Sequence, residues 1–375
     1  MTLTNLIYKL MFHALMISVI GAGPAGNYAA YLLAKDGQQV DVYEENAIIG
    51  DPIQCTGIVT SSIANMLKLS DEFIVNRIMK ARIYAPDNKF IEVALHNENI
   101  ILDRKKFDQH IGELAQEAGA KFHSNHRFMD FKNNEMLMRD TKAGVTKNIK
   151  TDIVIGADGP NSQVAKSAGL LRNREFWVGA QATIKHKNDN AIEFFPHVGT
   201  IGWICPEDEE TVRIGICAKY NVSQCFENFL REKAPDAKIL ERQGGLIPIY
   251  DPKIKAQKEN VYLIGDAAGH VKATTLGGII QGMLAAEAAR DSIIYGKDYD
   301  KEWRKKLSKD LWIALLMRKA MDKFSHDDYN YLVKLFTQQK TKEILEHYDR
   351  DYPSRFMLKL LLREPRLLYF MKMMF

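Results

Sequence analysis

The loop Gly21-Ala22-Gly23-Pro24-Ala25-Gly26 limits the possible folds of this chain more than any other sequence feature. It directly follows a short apolar run, residues 16–20, and precedes a helix-like stretch, residues 27–36. A strand, a G-x-G-x-x-G loop and a helix in this order are typical of a dinucleotide-binding βαβ unit. Glu44 ends the next predicted strand, 18 residues after Gly26, where a carboxylate can accept hydrogen bonds from a ribose hydroxyl. The sequence therefore predicts a dinucleotide site, while the loop taken alone is also compatible with a chance glycine-rich turn.

The glycines of this loop have separate physical tasks. Gly21 permits a tight turn, Gly23 lets a pyrophosphate approach the backbone, and Gly26 lets the helix pack closely on the strand. The start of the helix offers free N–H groups and the positive end of the helix dipole. Together these features predict a pyrophosphate at the N-terminus of the first helix.

Later loops decide which dinucleotide is expected. Gly265-Asp266-Ala267-Ala268-Gly269 follows the apolar run 261–264, so Asp266 would end a strand and accept a hydrogen bond from a ribityl hydroxyl. Gly277-Gly278-Ile279 precedes a helix predicted over 281–289, and its N–H groups would face the isoalloxazine N1/C2=O edge. Residues 155–161 form another such loop and place Asp158 near the cofactor or the domain junction. Each loop alone fits an ordinary turn, but their order predicts FAD rather than NAD.

The rest of the chain interleaves helical and strand patterns. Residues 104–118 are amphipathic, residues 121–127 and 152–155 fit strands, and alternating runs at 191–195 and 211–217 indicate an antiparallel sheet. The expected fold class is α/β: a Rossmann-type FAD-binding domain with an inserted antiparallel β substrate domain and a helical C-terminus. The expected boundaries are 16–75, 98–170 and 255–300 for the FAD-binding domain, 76–97 and 171–254 for the β-rich substrate domain, and 301–375 for the helical C-terminal region.

Composition argues against several other classes of function. Lys and Arg total 51 and Asp and Glu total 47, so the net charge of +4 is too small to indicate a nucleic-acid partner. None of the four cysteines forms a C-x-x-C pair, so we expect no metal site, no iron–sulfur cluster and a reducing compartment. No stretch reads as a transmembrane helix, and we expect a cytoplasmic protein. Residues 1–15 read as a short extension before the first strand, and Met16 is a candidate start.

The motifs resemble a known family. The loops are similar to those of the FAD proteins that include aromatic hydroxylases, and within that class the chain resembles the geranylgeranyl reductases, especially the archaeal digeranylgeranylglycerophospholipid reductases. The resemblance covers about residues 16 to 295. It rests on the stretches Asp51-Pro52-Ile53-Gln54-Cys55-Thr56-Gly57, 102–108 and 265–279.

This resemblance implies a set of site residues. The residues that would line FAD are Ala25, Glu44, Cys55, Thr56, Gly57, Arg104, Asp266, Gly278 and Ile279, and Phe128 would touch the adenine side through its backbone. A role for Arg104 is also expected without the resemblance, because a guanidinium at the start of a helix can bind pyrophosphate oxygens bidentately. A solvated surface charge is the alternative.

The chain departs from the family pattern at two places. Of the family's Tyr-x-Trp-x-Phe-Pro stretch, residues 201–206 keep only Trp203 and Pro206, and Ala273 replaces a customary proline. These departures leave the lipid substrate and the regiochemistry open.

Cys55 and Trp203 are the candidate catalytic residues. A thiol is largely protonated at neutral pH, so Cys55 could donate a proton, shape the pocket or respond to the redox state; a small buried residue is the alternative. The aromatic face of Trp203 could stabilise positive charge that develops on an alkene, with Phe194 and Phe195 as further wall residues or simply sheet core. The remaining cysteines read as structural.

Three other features have open interpretations. His270 could be an acid, but solvent exposure in a loop is favoured. Lys272 could stabilise a reduced flavin or bind a lipid phosphate, or simply lie at the surface. Residues 353–375 are predicted to form a basic amphipathic helix, which suits either an anionic membrane surface at the inner face of the cell membrane or packing over the substrate domain.

The leading functional hypothesis is an FAD-dependent reductase of geranylgeranyl chains in archaeal-type ether-lipid precursors. Its expected partners are a prenylated lipid, an external electron donor such as ferredoxin, NAD(P)H or another reductant, and peripherally a membrane. A flavin monooxygenase or epoxidase, a quinone-linked flavoprotein and a prenyl-binding carrier are the alternatives.

Overall fold

The structure is a computed structural model, which describes residues 15–374 of the chain. Residues 1–14, and with them most of the predicted N-terminal extension, lie outside the described residues. The strands are β1 Met16–Ile20, β2 Gln39–Tyr43, β3 Ile58–Thr60, β4 Ile74–Tyr84, β5 Phe90–Leu102, β6 Lys121–His123, β7 His126–Lys132, β8 Glu135–Asp140, β9 Thr146–Lys150, β10 Ile153–Gly156, β11 Phe176–Lys185, β12 Ile192–Phe195, β13 Ile201–Pro206, β14 Thr211–Ala218, β15 Ile239–Pro248, β16 Gln257–Lys258 and β17 Val261–Leu263.

The helices alternate with the strands in the first part of the chain and dominate after residue 279. The α-helices are α1 Pro24–Lys35, α2 Arg104–Glu117, α3 Gln163–Ser167, α4 Val222–Lys233, α5 Ile279–Tyr295, α6 Tyr299–Trp303, α7 Lys309–Met321, α8 His326–Phe336, α9 Gln339–His347, α10 Met357–Arg363 and α11 Leu368–Met371. The mixed α/β class and the helical C-terminal region are thus confirmed. Within residues 15–374, no helix is both long and apolar enough to cross a membrane.

The first sheet places the glycine-rich loops together. Its strand order is β16-β17-β10-β1-β2-β6, and β17, β10, β1, β2 and β6 run parallel. Parallel strands end at the same edge of a sheet, so the loops that follow β1, β10 and β17 meet there. Helix α1 packs against both α2 and α5, and the residues of the central strands β1, β10 and β17 are almost all buried.

The second sheet is largely antiparallel and has the strand order β15-β11-β14-β13-β12-β4-β5-β3. The alternating runs predicted at 191–195 and 211–217 form β12 and β14 within it. One junction, between β12 and β4, is parallel. Helix α4 packs on one face of this sheet through Phe226 and Phe229. The domain boundaries given above remain a prediction.

Two predicted elements differ from the structure. The strand predicted over 121–127 is divided, because β6 joins the first sheet while β7 starts a separate three-stranded sheet with β8 and β9. The C-terminal segment is not one amphipathic helix: Glu364 and Pro365 separate α10 from the short helical turns that follow. Proline has no backbone N–H to donate to the carbonyl oxygen of the preceding turn, and this explains why the helix breaks there.

Candidate active site

A cavity of about 960 Å³ lies where the first sheet faces the second. Most of the predicted site residues line it, including the candidate catalytic pair Cys55 and Trp203. The predicted FAD residues on its wall are Gly21, Gly23, Ala25, Glu44, Cys55, Thr56, Gly57, Arg104, Phe128, Asp158, Asp266, Gly278 and Ile279. Gly26 lies behind the wall, where a Cβ would overlap the backbone of Gly21. The structure therefore brings together residues from widely separated parts of the chain.

The first loop leaves room for a phosphate. Gly21 has a φ of +100°, and a Cβ there would collide with the carbonyl group of Ala157. At Gly23, by contrast, a Cβ would meet nothing within 4 Å in the described part of the chain. No described side chain caps the N-terminus of α1, which begins with Pro24. The free N–H groups and the space before them fit a pyrophosphate.

Glu44 is oriented by the loops on either side of it. Its Oε2 accepts a hydrogen bond from the backbone N–H of Ala22 at 2.9 Å. Its Oε1 accepts from the backbone N–H and the side-chain amide of Asn46, each at 3.0 Å. The carboxylate thus lies next to the phosphate loop at the end of β2, which suits its predicted contact with a ribose. Phe128 lies further along this wall, beside a β-bulge that interrupts the ladder of β7 and β8.

Asp158 has a structural task in addition to its position on the cavity wall. Its Oδ1 accepts from the hydroxyl of Ser162 at 2.6 Å, and its Oδ2 accepts from the backbone N–H of Val164 at 3.0 Å. Burial raises the pKa of this carboxyl, and these hydrogen bonds oppose the rise. Asp158 therefore holds the start of α3 against the cavity.

Arg104 is paired in a way that the sequence reading missed. Its Nη2 lies 2.9 Å from Oδ2 of Asp108, and its Nε donates to Oδ1 at 3.2 Å. Both side chains are largely buried, and burial raises the pKa of Asp108 while Arg104 opposes that rise. The spacing of four residues on α2 is the sequence signal that could have revealed the pair. Arg104 lies beside Cys55 on the cavity wall, and Cys55 Sγ also accepts from the N–H of Gly57 at 3.3 Å.

Asp266 and Gly278 lie against each other at the opposite wall. A Cβ on Gly278 would come within 2.9 Å of Asp266 Oδ1, so the glycine is needed for this approach. Burial raises the pKa of Asp266 to about 6. Arg174, which no motif marks, donates to the carbonyl groups of Asp266 at 3.2 Å and Pro160 at 3.1 Å and so ties two of the loops together.

The apolar part of the cavity faces the second sheet. Its wall includes Phe194, Ile201, Trp203, Leu246 and Ile247. Phe195 is not part of it: with only 1% of its surface exposed, it packs against Tyr84 and Phe229 on the other side. Neighbouring residues of a strand point to opposite faces, so only Phe194 of this pair can line the cavity.

Two expectations of surface exposure were wrong. His270 is fully buried against Trp303, its ring centroid 4.7 Å from that of the indole, and burial lowers its pKa to about 3. Neither ring nitrogen has a hydrogen-bond partner among the described residues. Lys272 is also buried and forms an ion pair with Asp351. In both places the helical region after residue 298 covers the loop, which local sequence patterns do not show.

The donor set and the free space fit FAD. The open helix N-terminus suits the pyrophosphate, Glu44 suits the ribose, and the turn at Gly277 and Gly278 suits the edge of the flavin ring. When bound there, FAD would be held by these residues and by the loop that contains Cys55.

Comparisons with known proteins agree with this geometry. The family model of the FAD binding domain matches residues 14–225. The chain is 28% identical over 388 residues to the digeranylgeranylglycerophospholipid reductase of Methanothrix thermoacetophila, covering 94% of this chain and 97% of that protein. It is 30% identical to digeranylgeranylglycerophospholipid reductase 1 of Methanosphaera stadtmanae, covering 88% and 90%. Among solved structures, a geranylgeranyl bacteriochlorophyll reductase-like protein from Thermoplasma acidophilum has a TM-score of 0.81 at 22% identity, covering 96% of this chain and 99% of that one.

Proposed function

We propose, because this chain belongs to the family of digeranylgeranylglycerophospholipid reductases, that it saturates carbon–carbon double bonds in the geranylgeranyl chains of archaeal-type ether-lipid precursors. The chain is an FAD-dependent oxidoreductase. The single observation that carries the proposal is the continuity of one cavity from the flavin-binding loops to the apolar wall around Trp203. A long hydrocarbon chain would bind against such a wall, because the transfer of its apolar surface from water to an apolar surrounding is favourable.

The chemistry requires both a hydride and a proton. An isolated alkene has no conjugated carbonyl group to polarise it, so a proton adds to the less substituted carbon, positive charge develops at the more substituted carbon, and a hydride adds there. Reduced FAD supplies that hydride when bound. The proton must come from the protein or from a water molecule held by it, and one C=C bond then becomes one C–C bond with two new C–H bonds.

Two residues on the cavity wall suit the remaining steps. The ring of Trp203 offers a π-face that tolerates positive charge in an apolar surrounding. Cys55 lies on the loop beside Arg104, and its thiol can donate a proton and regain one from solvent. Phe194 and Ile201 keep water away from the reacting carbons, which protects a developing cation from capture.

The test of this function uses anaerobic protein loaded with FAD and reduced by dithionite. Incubation with a geranylgeranylated glycerolipid should give products heavier by whole pairs of hydrogen atoms in mass spectrometry. Cys55→Ser tests the proton donor and Trp203→Phe tests the aromatic face; both should bind FAD and reduce the lipid more slowly. A hydroxylated product formed with NAD(P)H and oxygen would instead indicate a monooxygenase, and lipid binding by a colourless protein would indicate a carrier.

The electrons must come from an external reductant. Ferredoxin and NAD(P)H are both compatible with the chain, and the sequence has no second glycine-rich nucleotide loop apart from those that line the FAD cavity. Reduction of the bound flavin by each donor in turn, followed at the flavin absorbance, would identify the one that supports turnover.

We further propose that the C-terminal face contacts an anionic membrane surface. This face is the exposed side of α10, where Leu358 and Leu362 are 69% and 73% exposed and lie one helical turn apart. Lys359 and Arg363 adjoin them, so apolar and basic groups occur on the same exposed side. Such a combination suits the interface of a bilayer that contains anionic lipid.

Sedimentation with lipid vesicles tests the C-terminal face. The protein should sediment with vesicles that contain anionic lipid more than with neutral vesicles, and L358D/L362D should abolish the difference. Leu240→Asp is the control, because Leu240 is also exposed, at 47%, but lies on the edge strand β15. Equal sedimentation of the double variant and the unaltered protein would refute the contact.

A further inference from the structure

A chain of hydrogen bonds between side chains crosses the wall of the cavity and joins the Cys55 loop to Trp203. Gln181, on β11, lies at its centre: its Oε1 accepts from the hydroxyl of Thr56 at 2.6 Å and from the indole N–H of Trp203 at 3.1 Å. Its Nε2 donates to Oε1 of Gln243 at 2.8 Å. These four residues come from the Cys55 loop and three strands of the second sheet.

The chemistry of the groups fixes the direction of every bond in this network. An indole N–H can only donate, so the atom of Gln181 that faces it must be the carbonyl oxygen. The hydroxyl of Thr56 must then donate to the same oxygen, and the amide nitrogen of Gln181 must face an acceptor, which is the carbonyl oxygen of Gln243. The alternative orientation of the Gln181 amide would set an N–H against the N–H of Trp203. Only one arrangement therefore satisfies all the groups.

The position of the Trp203 ring depends on this network. On one side the ring occupies the space that a side chain at position 215 would fill, because a Cβ on Gly215 would overlap it. On the other side its N–H is bound to Gln181, which is only 6% exposed. Without this acceptor the buried N–H of Trp203 would be unpaired. The free-energy cost of an unpaired donor would favour rotation of the ring.

The other end of the network is held as firmly. Arg213, a buried residue of β14, donates from Nη1 to the carbonyl oxygen of Thr56 at 2.5 Å and to that of Leu102 at 3.1 Å. Thr56 is therefore bound through its backbone by Arg213 and through its hydroxyl by Gln181. Cys55 precedes Thr56 directly, so the same contacts hold the backbone from which its thiol extends, and the N–H of Gly57 donates to that thiol at 3.3 Å.

We infer that Gln181 is a positioning residue that sets the angle of the Trp203 ring relative to Cys55. This inference rests on the proposed function. In that function the alkene lies between the aromatic face of Trp203 and the proton donor Cys55, and Gln181 keeps these two groups aligned. Reaction requires the reacting groups to be aligned closely, so a rotated ring would lower the rate of the chemical step more than it weakens substrate binding.

The experiment compares three variants of the FAD-loaded protein. Gln181→Leu removes both acceptor and donor, and Gln181→Glu keeps an oxygen for Thr56 and Trp203. Gln224→Leu is the matched control, because Gln224 is exposed on α4, where it donates to Asn228, and does not line the cavity. We expect Gln181→Leu to lower kcat for lipid reduction about tenfold, the effect of one lost hydrogen bond of ordinary strength, with KM changed by less than about twofold. Gln181→Glu should recover most of the loss, and Gln224→Leu should change kcat little.

A direct measurement of the ring separates this inference from the proposed function. The chain has four tryptophans, so labelling with 5-fluorotryptophan should give four fluorine resonances, of which Trp203→Phe identifies the one that belongs to Trp203. Gln181→Leu should shift that resonance, and Gln181→Glu should return it toward its original place. If Gln181→Leu does not fold, Thr56→Val and Gln181→Met replace it.

The outcomes are distinct. A resonance that Gln181→Leu leaves unmoved, or equal kinetics for Gln181→Leu and Gln181→Glu, would overturn the inference. Absence of lipid reduction in the unaltered protein would refute the proposed function, while the fluorine spectrum would still test whether Gln181 positions Trp203.

Discussion

Replacing Lys272 with methionine removes one partner of a buried ion pair, and its effect can be estimated from the structure. The side chains of Lys272 and Asp351 are 4% and 3% exposed. Without the ammonium, the Asp351 carboxylate retains the Thr60 hydroxyl, which lies 2.9 Å from its Oδ2 and equally close to Asp349. Breaking such a pair from one side costs about 3–5 kcal/mol, because it leaves an uncompensated buried charge. We therefore expect Lys272→Met to lower the free energy of unfolding by about 4 kcal/mol.

This free energy converts into a measurable shift of the unfolding temperature. At about 2.1 cal/mol/K per residue, 375 residues have an unfolding entropy of roughly 0.8 kcal/mol/K if they unfold together. A loss of about 4 kcal/mol then lowers Tm by about 5 °C. Calorimetry or circular dichroism of the protein without added lipid would measure it.

Two further variants test the reasoning itself. Lys301→Met is the control, because Lys301 pairs with Asp298 at the surface, where it is 82% exposed, and such pairs are worth less than about 1 kcal/mol. The double variant Lys272→Met/Asp351→Leu should regain most of the lost stability, since it leaves no buried charge. If Lys272→Met were no more harmful than Lys301→Met, or if the double variant were worse than either single change, the account of this pair would be refuted.

Three other predictions concern the cavity. Gly21→Ala should destabilise the protein and abolish FAD binding, whereas Gly23→Ala should leave Tm of the FAD-free protein unchanged and weaken FAD alone; a titration of flavin fluorescence and a melting curve distinguish the two. Burial raises the pKa of Asp266 to about 6, and a ribityl hydroxyl would favour its ionised form. FAD affinity should therefore be constant above pH 7 and fall as the pH drops below 6. Asp266→Asn should bind FAD weakly, with an affinity that does not depend on pH in this range. Phe195→Ala should cost about 3–5 kcal/mol of stability in chemical unfolding, whereas Phe194→Ala should cost less and slow lipid reduction; similar results for the two would contradict their placement on opposite faces.

The parts of the site that follow strands of the first sheet were predictable from the sequence. Gly21, Asp158 and Asp266 each come directly after an apolar run, and the parallel pairing of β1, β10 and β17 brings their loops to one edge. This inference needs no knowledge of side-chain packing, because the direction of parallel strands alone decides where their ends meet. FAD as cofactor follows from the number and order of these loops.

The residues that reach the site from the second sheet were not predictable in this way. Gln181 and Arg213 lie within ordinary alternating strands, and no loop or spacing distinguishes them from neighbours that serve only the core. Arg174 likewise lies between elements and acts through carbonyl groups that every residue has. The roles of Gln181 and Arg213 depend on which strands pair and in what register, since a shift by one residue would turn either of them to the opposite face.

The burial of His270 and Lys272 shows how the helical C-terminal region belongs to the site. Lys272 accepts from the N–H of Leu276 at 2.9 Å and donates its own N–H to the carbonyl oxygen of Gly277 at 3.1 Å, so it closes the turn that presents Gly277 and Gly278 to the cavity. Asp351, 74 residues beyond Gly277, binds the side chain of that same lysine. A segment without any nucleotide-binding motif therefore helps to hold the loop on which the flavin edge is expected to lie. Loss of FAD affinity that persists in the double variant Lys272→Met/Asp351→Leu, in which stability is recovered, would separate this support of the loop from the stability of the fold as a whole.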